Sequence, residues 1–84
     1  MKLNELLGSV IIQGPFTVCV YDESYTSEEM PMGYENLRLL FETYDLCTER
    51  HMIDGATAEM EISCIYPLSY ADHNRLMIEV KEAD

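Results

Sequence analysis

With 84 residues the chain is long enough for one domain and one core, and its 48% hydrophobic content is that of a globular protein. Sixteen acidic residues against five basic ones give a net charge of -11. A field of that sign repels nucleic-acid backbones and anionic membranes and attracts basic surfaces. No apolar run reaches the roughly 18 residues of a membrane span, and the N-terminus lacks the apolar stretch and small-residue cleavage site of a signal peptide, so a soluble cytosolic protein is expected.

In chain order, Leu3, Leu6, Leu7, Val10 and Ile11 follow the spacing of an amphipathic helix over residues 2–11, one that frays between Gly8 and Ile12. Gln13-Gly14-Pro15 is a turn. Phe16, Val18 and Val20 then alternate with Thr17, Cys19 and Tyr21, which predicts a strand. From Asp22 to Gly33 the chain is polar and aperiodic and reads as a loop, with room for a short edge strand between Glu29 and Met32. Asp22, Ser24, Thr26 and Glu28 alternate as calcium ligands would. An EF-hand, however, needs glycine where Ser27 stands and a bidentate carboxylate where Gly33 stands.

Residues 34–49 predict a second helix with Leu37, Leu40, Phe41, Tyr44 and Cys47 on its core arc. Glu35, Glu42, Asp45 and Glu49 form an acidic stripe on another arc, interrupted only by Arg38, and Leu39 and Leu46 lie between the two. Asp54-Gly55 is a turn that hands the chain to a hairpin. The hairpin's first strand puts Ala58, Met60, Ile62, Cys64 and Tyr66 inward, and Pro67 ends it. Its second strand puts Leu76, Ile78 and Val80 inward, so Ile62 and Ile78 are expected to be nearly fully buried. The fold class is therefore α+β: a small three- to four-stranded, mainly antiparallel sheet with two helices packed on one face.

Little of the chain suggests chemistry. Asp72-His73-Asn74 is good turn chemistry, and neither His51 nor His73 has a nucleophile and an orienting carboxylate in evident reach. Cys19, Cys47 and Cys64 are an odd, widely spaced set that suits neither a disulfide framework nor a zinc site. Inert thiols are expected, together with no cofactor, no metal and no catalytic residue. Tyr44 and Tyr66 fit the core, while Tyr21, Tyr25, Tyr34 and Tyr70 lie in or beside loops, where an aromatic body with a polar tip can anchor a partner.

The acidic residues are the one constellation with a mechanism attached. Asp22, Glu23, Glu28 and Glu29 on the loop, with Glu35, Glu42, Asp45 and Glu49 on the helix, give rows of carboxylates. Such rows can meet the arginines and lysines that would otherwise hold phosphates. A solvated face that only keeps the protein soluble is the plain alternative. A homodimer built through Leu39 and Leu46 or through a sheet edge is the other.

The opening Leu3-Asn4-Glu5-Leu6-Leu7, the turn Val10-Ile11-Ile12-Gln13-Gly14-Pro15, and the closing segments Ile65-Tyr66-Pro67 and Leu76-Met77-Ile78-Glu79-Val80 resemble small acidic proteins encoded by bacterial phages and mobile elements. The resemblance spans both ends and leaves the segment from Tyr34 to Glu49 unmatched. Proteins of that kind include anti-CRISPR and other anti-defence inhibitors that bind and block nucleases. What it implies here is a non-enzymatic inhibitor acting on a basic surface. It assigns no individual residue a role.

Overall fold

The computed structural model describes residues 1–9, 14–43, 53–70 and 73–82. Helix α1 spans Leu3–Ser9, strand β1 Phe16–Tyr21, strand β2 Leu37–Glu42, helix α2 Gly55–Ala58, strand β3 Glu61–Tyr70 and strand β4 His73–Lys81. The four strands form one sheet in the order β2-β1-β4-β3. β1 is antiparallel to β2 and β4 is antiparallel to β3, but the central pair, β1 and β4, runs parallel. The sheet is thus mixed, where a mainly antiparallel one was expected. Hairpin connections alone cannot produce the parallel pair, because the chain must cross over between β1 and β4.

The two central strands bury side chains on both faces, and each face carries its own apolar cluster. On the first face Phe16, Val18, Ile78 and Val80 pack with Leu3 and Leu7 of α1, with Leu6, Leu40, Phe41, Ile53, Met60, Ile62 and Leu76 at the margin. On the second, Cys19, Met30, Leu37 and Met77 pack with Tyr34, Tyr66 and Leu68. Helix α1 has the predicted face as far as Ser9, since Leu3 and Leu7 are buried, while Val10 and Ile11 lie outside the described residues. Helix α2 is a single turn, capped at Asp54, whose carboxylate accepts the Thr57 N–H at 2.7 Å, and it buries only Thr57. The expected layer of two helices on one face is therefore not formed; a loop covers the other face instead.

The predicted helix over 34–49 is contradicted between Leu37 and Glu42, which form β2. Its apolar run is too short for periodicity alone to separate helix from buried strand. A bulge also disguises the alternation: Leu39 pairs with Cys19 and Phe41 with Val18, so Leu40 is the extra residue. Leu37 and Leu39 then share the second face while Phe41 reaches the first. Tyr44, Leu46 and Cys47 of the predicted helix lie outside the described residues, as does His51.

The hairpin is present with altered boundaries. Ala58 belongs to α2, and β3 runs through Pro67 instead of stopping there. β3 is an edge strand, where the missing proline N–H deprives no neighbouring strand of a donor. A second bulge changes the faces of β3, since Ile62 pairs with Val80 and Cys64 with Glu79, which leaves Ser63 as the extra residue. Ile62 consequently faces the first cluster while Cys64, Tyr66 and Leu68 face the second. Ile62 is half-buried and Cys64 exposed, whereas Ile78 is 0% exposed as expected. Lys2 bridges to Glu61, and the Ile62 N–H donates to the Met1 carbonyl at 2.8 Å, so the chain's start covers the beginning of this edge.

Candidate functional site: an acidic loop anchored on the second face

The sequence Glu-Glu-Met-Pro-Met-Gly is too polar to be a core element and too apolar to be wholly solvated, and the structure divides it accordingly. The connection from Asp22 to Asn36 folds across the second face of the sheet and contains no strand. Met30 is buried at 8% exposure among Cys19, Leu37 and Met77. Tyr34 packs against Tyr66 of β3 in a tilted arrangement with ring centroids 5.7 Å apart. Burying these two side chains offsets the entropy of ordering a loop this long.

Polar bonds fix the loop's two ends. Asp22 accepts from the Ser24 N–H at 3.0 Å and the Ser24 hydroxyl at 2.6 Å, and Arg38 Nε lies 3.3 Å away. The Ser24 bonds, with Arg38 adding, hold the Asp22 carboxyl below its ordinary value. Asn36 Nδ2 donates to the Tyr25 carbonyl at 2.8 Å and the Ser27 N–H to the Glu35 carbonyl at 2.7 Å. At the tip Gly33 adopts φ 94°, a conformation that favours glycine, and its N–H donates to Glu35 Oε2 at 2.6 Å.

The eight carboxylates singled out in the sequence therefore do different things. Glu23, Glu28 and Glu29 are exposed on the outside of the anchored loop. Met32, 94% exposed, stands beside them at the tip. Asp22 and Glu35 are half-buried and tie the loop together. Glu42 belongs to β2 and not to a helix face; it lies 3.5 Å from Arg75 Nε, with its side chain 23% exposed. No helical stripe joins Glu35 to Glu42. Asp45 and Glu49 lie outside the described residues.

Sequence reasoning passed over Arg75, which sits in β4 with a side chain only 2% exposed. Its Nε donates to Thr17 Oγ1 at 2.7 Å, and its Nη2 donates to the Phe16 carbonyl at 3.0 Å and to the Thr43 carbonyl. Thr43, itself fully buried, accepts the Phe16 N–H on its hydroxyl at 3.0 Å. This polar knot fixes the end of β2 to the beginning of β1. Its only sequence signal was a charged residue directly before an alternating apolar strand.

A second arrangement on this face bears on reactivity. Cys19 and Cys64 both pair with Glu79, one from each neighbouring strand, and Tyr66 donates its hydroxyl to Glu79 Oε2 at 2.5 Å. Burial, with the Glu79 charge adding, pushes the Cys19 thiol up to about 12. Burial and then Glu79 raise Cys64 as well, and the same two causes raise the Tyr66 phenol. Thiols held protonated are poor nucleophiles at neutral pH. Among the described residues no group of three or more His, Cys, Asp or Glu is placed to hold a metal ion, and no helix is long and apolar enough to cross a membrane.

The chain matches no family model, no curated protein and no solved structure.

Proposed function

We propose that this is a non-enzymatic acidic interaction protein whose loop between β1 and β2 binds a basic surface of a partner protein. The observation that carries this reading is the division within the loop: Met30 and Tyr34 are spent on the sheet, while Glu23, Glu28 and Glu29 point outward on a backbone held at both ends. A pre-ordered row of carboxylates loses less entropy on binding than a free acidic tail. The partner class that fits is a nuclease or other nucleic-acid-binding enzyme, one whose arginines and lysines normally grip phosphates, so that the protein acts as a nucleic-acid mimic. An anti-CRISPR or other anti-defence inhibitor from a phage or mobile element is the form of this reading that the sequence resemblance favours.

The experiment is capture of a partner from host lysate, followed by titration of that partner against the parent and a variant with Glu23→Lys, Glu28→Lys and Glu29→Lys. Affinity should fall at least about tenfold in the variant, and the parent's affinity should weaken as salt rises, because exposed pairs are screened over about 8 Å at physiological ionic strength. Unchanged affinity in the variant would remove the loop from the interface and leave its acidity as a solubility device.

One observation favours a second reading. Leu39 is 38% exposed on β2, an edge strand, so a homodimeric assembly component remains the rival class. Sedimentation of the parent and Leu39→Glu separates the two: only an edge-paired dimer dissociates in the variant.

A further inference from the structure

Beyond the carboxyl ends of β1 and β4 the sheet opens into a cavity of about 440 Å³, whose lining includes Val20, Arg38, Leu40, Met60, Lys81 and Glu82. Ligands of open sheets with parallel strands commonly bind outside the carboxyl ends of those strands. The volume lies within the range of small-molecule sites. Leu40 and Met60, half-buried at the margin of the first cluster, supply an apolar wall together with half-buried Val20.

The lining holds two cations against one carboxylate, Glu82, with Asp22 paired to Arg38 beside it, which concentrates positive charge on a molecule poor in it. The chain has only five lysines and arginines, and two of them, Arg38 and Lys81, line this one space. Arg38 gives its Nε to Asp22, and among the described residues its two terminal nitrogens have no hydrogen-bond partner. Lys81 has no ion-pair partner among the described residues. An apolar wall with two available cationic donors fits an amphipathic anion.

We propose that this cavity binds a small carboxylate with an apolar body, its carboxylate on Arg38 and Lys81 and its body against Val20, Leu40 and Met60. The site is independent of the acidic loop's partner. The net negative charge of the molecule does not forbid it, because the remote carboxylates are screened while the two cations act at contact distance. Glu82, on the same rim, opposes the anion and so weakens the site.

The test is an amide-resolved NMR titration of the whole chain with 3-phenylpropionate and, as a neutral control of the same shape, 3-phenylpropanol. Saturable shifts confined to Val20, Tyr21, Arg38, Thr57, Met60 and Lys81 are expected with the acid, with binding of the alcohol weaker by at least about fivefold. Arg38→Gln and Lys81→Gln should each weaken the acid several-fold and leave the alcohol unchanged, and Glu82→Gln should tighten the acid. All three positions are exposed, so the variants keep the fold, which their amide spectra report directly. Shifts that do not saturate, that scatter over the surface, or that are equal for acid and alcohol would overturn the proposal.

Discussion

Arg75 shows how much one buried charge can organise in a small domain. Its guanidinium serves two carbonyls, one hydroxyl and the Glu42 carboxylate, and it does so from a position almost without solvent. Removing one member of such a set strands the others, which is where the cost arises. Arg75→Ala should lower the unfolding free energy by about 3 to 5 kcal/mol, enough to approach the whole stability of a marginal domain. Urea melts followed by circular dichroism measure it. Two isoleucines give a graded comparison within the first cluster. Ile78, with no exposure, should cost about 2 to 4 kcal/mol on change to alanine, and half-buried Ile62 about half as much or less. Equal melts for the two alanine variants would contradict the bulge at Ser63, which sets Ile62 at the margin.

Among the elements, the loop between β1 and β2 has a small apolar anchorage for its length. Met30 is its one buried apolar side chain among the described residues, with Tyr34 against Tyr66 beside it. Met30→Ala should therefore free the loop before it unfolds the sheet. Hydrogen exchange should speed up by an order of magnitude or so at the Ser27 and Leu37 amides, while those of β1 and β4 keep their protection. Helix α2 rests on its cap in a comparable way. The Thr57 N–H bond to Asp54 is the first cause holding the Asp54 carboxyl below its ordinary value of 3.8. A carboxylate with a depressed folded value contributes stability that is complete above its unfolded value and lost as pH falls through the folded one. The parent's advantage over Asp54→Ala should be constant from neutral pH down to about 4 and shrink below it. Thermal melts of both proteins at a series of pH values test the sign.

At the scale of the whole molecule, a net charge of -11 is carried by a body only 32 × 31 × 19 Å across. At about 10 mM salt the screening length is roughly 30 Å, so every carboxylate feels the others; at about 100 mM it is roughly 10 Å. Self-repulsion destabilises the compact state, so the melting temperature should rise by a few degrees between those two concentrations. The same change in salt should weaken binding of a basic partner. Opposite responses of stability and affinity to one variable would distinguish an acidic interaction protein from one whose charge contributes to neither.

Local pattern was enough to locate α1, β1 and β4, because each carries an unbroken period on a face that is buried. The chain's acidity was equally legible, being a property of residue types. What the pattern did not contain was the crossover that sets β4 parallel to β1, since pairing between distant strands leaves no mark on neighbouring residues. Nor did it contain the bulges at Leu40 and Ser63, each of which shifts the alternation by one residue and so made β2 resemble a helix and placed Ile62 on the same face as Cys64. The candidate site divided in the same manner. The loop carboxylates were visible as a polar run, but which of them are tied down depended on Arg38 and Arg75 arriving from β2 and β4, beside the local bonds that Ser24 and Gly33 make within the loop. Charge and period belong to the chain and can be read along it; partners are made by tertiary contact, and it was partners that decided which carboxylates face solvent.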